Sequence, residues 1–176
     1  MSVATLLLAT AGWTLVWSAV GHLGDLTDLS EMLRNHGLVR PVSVVLPVLV
    51  TAEIGLGVAA VGAPVVAPGA RGAQAGLAVA LTALFTVFAG YLAALRRRDP
   101  TQRCGCGGRG TASRAAVGRA LALAGCSVTA GVLTLTGAGP GPDGIDASTL
   151  VVLAAAGAAG YLVLHGPEAT RLEART

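Results

Sequence analysis

The sequence predicts an all-α protein of the membrane, and three observations carry that prediction. Of 176 residues, 53% are hydrophobic and only 12% are charged, against about 25% charged in an ordinary soluble domain. The apolar residues gather into five runs of 18 to 23 residues, the length that crosses a bilayer as a helix. The 12 basic residues, all arginine, fall almost entirely between those runs. Such a chain cannot enclose its apolar residues behind a charged surface, so a lipid bilayer is the expected solvent. The net charge of +3 does not point to nucleic acid, because the arginines sit in connectors and only 3% of residues are aromatic.

The first run, Val3 to Gly21, holds no charge. A secretory signal opens with a positive segment, whereas no Lys or Arg precedes Arg34, so a retained helix with its N-terminus outside is expected. From His22 to Arg40 the chain turns polar, and Leu26, Leu29 and Leu33 recur at helical spacing beside Met32. That pattern predicts a short amphipathic helix on the membrane or against the bundle. Pro41 disfavours helix in the residue before it and marks a boundary.

The second span, Val42 to Ala63, contains Pro47 and Glu53. A carboxylate near mid-membrane costs about 2.5–3.5 kcal/mol on insertion scales. Glu53 is therefore expected to be neutral, paired or facing a polar cavity. It serves either as a packing hydrogen bond or as a proton-relay or ligand-binding group. A Pro- and Gly-rich turn, 64–72, carries Arg71 alone, and the third span, Ala73 to Leu95, has only Gln74, Thr82 and Thr86 as polar side chains. Arg96, Arg97 and Arg98 stop it. A fourth span runs from about Ala115 to Gly137, with Arg119 able to reach the headgroups from its first turns. A fifth, Ala147 to Leu164, lies near the lower length limit. Small residues (Gly55, Gly57, Gly76, Gly125, Gly131 and the 154–160 run) offer close helix approach, unless they only reflect a composition rich in Ala and Gly.

With five spans and the N-terminus outside, eleven arginines fall on the cytoplasmic side and Arg71 alone on the outer side. That asymmetry is the positive-inside signal of a multi-pass protein of the plasma or inner membrane. It places the connector 96–114 in the cytoplasm.

That connector contains Cys104-Gly105-Cys106-Gly107-Gly108, flanked by Arg96, Arg97, Arg98, Arg103, Arg109 and Arg114. Two cysteines one residue apart can close a small disulfide ring when the backbone between them is pliable, and Gly105 supplies that freedom. Guanidinium groups and a helix start downstream favour thiolate. Disulfides in the cytoplasm are mostly catalytic or redox-sensing, so a reversible pair is expected. A closed Cys-Gly-Cys ring gains little from loop closure. Its potential is therefore expected to lie above the structural range, which is below about −300 mV.

These features together resemble the MauE/DoxX family of redox-associated membrane proteins, and the MauE branch in particular. The resemblance rests on a first helix ending at His22, an amphipathic connector leading to Pro41, Ala52-Glu53-Ile54-Gly55-Leu56-Gly57 in the second span, the Cys-Gly-Cys-Gly-Gly loop, and a helix opening with Arg119. It covers residues 1 to 137. It implies a four-helix transmembrane core, to which the fifth span is an addition. It also implies a part in maturing a disulfide-rich methylamine dehydrogenase subunit. Family members typically have Phe after the second cysteine, where this chain has Gly107, and Asn or Asp after the arginine of the next helix, where it has Ala120. The implied maturation takes place outside the cytoplasm, whereas the arginines put the loop inside.

Two functional classes follow. In one, Cys104 and Cys106, with Glu53, form the site of a membrane thiol–disulfide oxidoreductase. It exchanges with a thioredoxin-like or dehydrogenase partner protein and passes electrons to an acceptor such as a quinone between the helices. In the other, the protein is a non-enzymatic accessory whose cysteines sense redox state or bind metal. A zinc site from Cys104, Cys106 and His22 or His36 has too few ligands and too narrow a cysteine spacing for the usual structural pattern. Cys126, within the fourth span, reads as a small core hydrophobe, and His165 as an interface residue.

Overall fold

The computed structural model describes residues 3–67, 69–99 and 113–136. They form α1 (Val3–Gly24), α2 (Leu26–His36), α3 (Val42–Val66), α4 (Arg71–Arg98) and α5 (Arg114–Leu135). Four of these, α1, α3, α4 and α5, are long and apolar enough to cross a membrane. The expected all-α membrane fold with a four-helix core is therefore present. The fifth span at 147–164, the Cys104–Cys106 loop and His165 lie outside the described residues.

The spans alternate in direction, and α1 is their hub. It packs against α3 on one side and α5 on the other, while α4 pairs mainly with α5. Of the most apolar stretch of α1, 56% is buried, against 22% for α3, so α3 spends most of its surface on the surroundings. Its exposed Val44, Val48, Ile54 and Val58 are what lipid would cover. Leu8, Ala11 and Leu15 of α1 meet Ala60, Leu81, Phe85, Leu123 and Ala124 in the central cluster. Buried and half-buried hydroxyls bond carbonyls one turn back: Thr14 to Thr10 at 2.8 Å, Thr82 to Ala78 at 2.8 Å and Ser127 to Leu123 at 2.9 Å. No polar group of theirs is left facing hydrocarbon.

α1 and α3 approach so closely that only glycine fits at the crossing. A β-carbon on Gly12 would stand 2.8 Å from the Gly57 carbonyl oxygen and 2.8 Å from Ala60 Cβ, and one on Gly57 would stand 2.9 Å from the Gly12 oxygen. Of the glycines expected to pack, Gly57 does so closely and Gly131 lies near Ala78, but Gly55, Gly76 and Gly125 have open space where a side chain would go.

The amphipathic connector forms a helix, with Leu29 and Leu33 buried and Leu26 of the same apolar stripe exposed. Asp25 caps α2 by accepting from Asp28 N–H at 2.9 Å, and Gly37 ends it at φ 63°, a left-handed conformation glycine adopts freely. Leu29 and Leu33 pack on Val42 and Leu46 of α3. His36 Nδ1 meets the Tyr91 hydroxyl, and Arg98 reaches the His36 carbonyl at 3.4 Å. These contacts tie α2 to the last turns of α4. Helix boundaries differ from the sequence reading by a turn or less. α1 runs on to Gly24, and α3 carries Pro64 inside its last turn because only the Ala60 carbonyl loses a partner there. The 64–72 turn shrinks to the residues between Val66 and Arg71.

Candidate functional site

Glu53 lies at the middle of α3, four residues before Gly57 and so on the face that crosses α1. It is 0% exposed. The close crossing at Gly12 brings Ser18 and His22, one turn apart on α1, against it. The Ser18 hydroxyl donates to Glu53 Oε1 at 3.2 Å, and Ser18 Oγ stands 3.2 Å from His22 Nε2. His22 Nε2 is also 3.5 Å from Glu53 Oε1. The single hydroxyl proton cannot serve both neighbours. With it given to Glu53, Ser18 Oγ accepts from His22 Nε2–H, and the hydroxyl links imidazole to carboxyl.

Three buried polar groups thus form one chain between α1 and α3. Of the three expectations for Glu53, the structure shows pairing. Glu53 Oε2 has no hydrogen-bond partner among the described residues, so the carboxyl keeps one oxygen in reserve. Chemically, such a chain can pass a proton from His22, two residues from the end of α1, through Ser18 to Glu53. The same bonds also fix how α1 lies on α3.

The cysteines of the zinc alternative lie outside the described residues, and only its histidines are placed. His22 turns to Ser18 and Glu53, His36 turns to Tyr91, and no three His, Cys, Asp or Glu side chains gather among the described residues. Cys126 is free and half-buried in α5. Arg119 is half-buried as well, in the second turn of that helix.

Cys104 and Cys106 lie outside the described residues, but the ends of their connector do not. Asp99 follows α4 directly, and Ser113 caps α5 by accepting from Ala116 N–H at 3.1 Å. Leu95 and Leu92 of α4 pack with Ala116, Val117 and Ala120 of α5, so both stems are held together. By the alternation of the spans, this is the end of the bundle where α1 finishes, α2 lies and α3 begins. Arg96, Arg97, Arg98 and Arg114 stand on the stems.

Ser18 carried no sequence signal of its own. Its only hint is the i, i+4 spacing to His22 on an apolar helix. Tyr91 and Arg98, which hold His36, were equally silent.

Compared with known proteins, the chain matches the family model of methylamine utilisation protein MauE over residues 1–137. No curated protein and no solved structure matches it.

Proposed function

Since the chain belongs to the MauE family of multi-pass membrane proteins, we propose that it is a membrane thiol–disulfide oxidoreductase whose Cys104–Cys106 pair exchanges with a dithiol of a partner protein. The observation that carries this reading is the pair of stems. α4 and α5 clasp the ends of a connector that contains two cysteines around one glycine, and arginines crowd both sides. Positive charge favours the thiolate, the attacking and leaving form in exchange. The reaction balances without a further acceptor. A partner thiolate attacks one sulfur of the Cys104–Cys106 disulfide, and the second partner thiol then closes its own disulfide. Two electrons pass to the loop, where both thiols form.

Glu53 is fully buried in this conformation, and the exchange above needs no quinone. Ser18, His22 and Glu53 serve as the proton site of the bundle. His22 lies towards the loop-bearing end, and Glu53 Oε2 is the spare acceptor. The complete burial of Glu53 favours a second reading, in which the cluster only locks α1 to α3 and the protein is an accessory that presents its loop to a partner. Exchange activity separates the two. Cys104→Ser or Cys106→Ser should abolish exchange with a reduced dithiol peptide, while Cys126→Ser leaves it within about twofold, as expected for a substitution away from the reacting sulfurs. Unchanged exchange in the Cys104 and Cys106 variants would leave the accessory reading.

The arginine asymmetry further favours a cytoplasmic loop, and with it a thioredoxin-like partner over a dehydrogenase subunit that matures outside. A membrane-impermeant thiol reagent added to intact cells should leave Cys104 and Cys106 unmodified until the cells are opened. Full labelling from outside would reverse the orientation and restore the dehydrogenase-type partner.

A further inference from the structure

A pocket of about 270 Å³ opens where α2 gives way to α3, lined by Arg34, Val39, Arg40, Val42 and Ser43. It is separate from the Glu53 cluster and needs no thiol chemistry. Both arginines are exposed, and among the described residues neither guanidinium has a hydrogen-bond or ion-pair partner. Glu31, one turn before Arg34, forms no ion pair with it. Two positive charges held in one concavity without a counter-charge repel each other, and an anion seated between them removes that cost.

The floor of the pocket adds donors. α3 begins at Val42 with Pro41 as its cap residue, and Pro41 makes no side-chain cap bond. The first backbone N–H groups of a helix have no partner within it. The Pro41 carbonyl is taken by Val44 and Val45 N–H, which leaves Val42 and Ser43 N–H and the Ser43 hydroxyl facing the start of the helix. Backbone N–H groups, a hydroxyl and two guanidinium forks together are the donor set for a tetrahedral oxyanion.

We infer that this pocket binds the phosphate of an anionic phospholipid headgroup. Lipid is favoured over free phosphate by what lies beneath. Pro47 follows Ser43 by one turn on the same exposed face of α3, and Val44 and Val48, 56% and 62% exposed, flank it. An acyl chain can lie along that strip while its phosphate sits between Arg34 and Arg40. α2 holds the upper wall in place, since Leu29 and Leu33 anchor it to Val42 and Leu46.

Native mass spectrometry of the full-length protein, released from vesicles of phosphatidylglycerol and phosphatidylcholine, tests the site. One phosphatidylglycerol should be retained in preference to phosphatidylcholine. Each arginine should contribute about fivefold to retention, so Arg34→Gln with Arg40→Gln should lower it about 25-fold. Ser43→Asp should weaken it as well, by placing a carboxylate where the phosphate sits, and the acid suits a helix start, so the fold is kept. Arg71→Gln, at the opposite end of the bundle, should change nothing. Parental retention by the double arginine variant, equal retention of phosphatidylcholine, or displacement of the lipid by excess inorganic phosphate would overturn the assignment.

Discussion

Gly57→Val is expected to drive α1 and α3 apart and to cost a large part of the bundle's stability. The first added carbon alone would stand 2.9 Å from the Gly12 oxygen, 2.9 Å from Val16 Cγ2 and 3.2 Å from Val16 N. Two of those three neighbours are backbone, which cannot turn aside as a flexible side-chain tip can. Overpacking of a core typically costs about 1–3 kcal/mol, and a clash with backbone belongs at or beyond the top of that range. The effect reaches the polar cluster, because Glu53 lies one turn from Gly57 and its 3.2 Å bond to Ser18 depends on the same close approach. Gly55→Val, two residues away with open space around it, is the matched control. Thermal unfolding of the purified protein should show a large loss for Gly57→Val and little for Gly55→Val. Equal melting of the two variants would mean that α1 and α3 do not cross as described.

The second large effect is expected at Glu53. Glu53→Ala removes the acceptor of the Ser18 hydroxyl and leaves a cavity where a fully buried side chain stood. A deleted buried side chain of this size costs about 2–5 kcal/mol, and a buried polar group left without its partner about 1–3 kcal/mol. The two overlap here, because Ser18 and His22 can still bond each other. A loss of several kcal/mol is the outcome. Glu53→Gln keeps the shape and keeps an oxygen for Ser18, so it should fold with less than about 1 kcal/mol of loss, the worth of a single neutral hydrogen bond. It gives up the proton site, however. If the cluster serves proton transfer, Glu53→Gln should slow exchange while melting normally; if the cluster only locks the helices, exchange should match the parent. A Gln variant as unstable as the Ala variant would show that the carboxyl itself is required for folding.

The four spans were legible because each apolar run is bounded by arginine, proline or a polar segment, and hydropathy alone decides such cases. The amphipathic α2 was legible too, since Leu29 and Leu33 share one helical face and both are buried. Helix ends were less so. Pro64 reads as a terminator, yet a last helical turn loses only one bond to it. Glu53 announced itself as an acid in an apolar run, but its partners did not. Ser18 lies 35 residues away, and only the α1–α3 crossing fixes which residues of the two helices meet. That crossing depends on Gly12, whose role is invisible in a chain with 25 glycines. Composition supplies many small residues without saying which of them face a neighbour, and Gly55, Gly76 and Gly125 are the cost of that ambiguity.

The central claim concerns the reversible chemistry of Cys104 and Cys106, and one measurement meets it directly. The purified, membrane-reconstituted protein is equilibrated in buffers of graded thiol–disulfide poise, trapped by alkylation, and each cysteine's state is read by mass spectrometry. A three-residue ring gains little from loop closure, and the arginines on both stems stabilise the reduced thiolates. The pair should therefore interconvert with a midpoint above about −300 mV, the upper edge of the structural range, while Cys126 stays reduced. Oxidation should leave the melting temperature of the bundle unchanged, because the stems are held by α4–α5 packing and not by the bridge. A pair that stays reduced at every poise, or one locked as a disulfide below about −300 mV, would contradict the oxidoreductase reading.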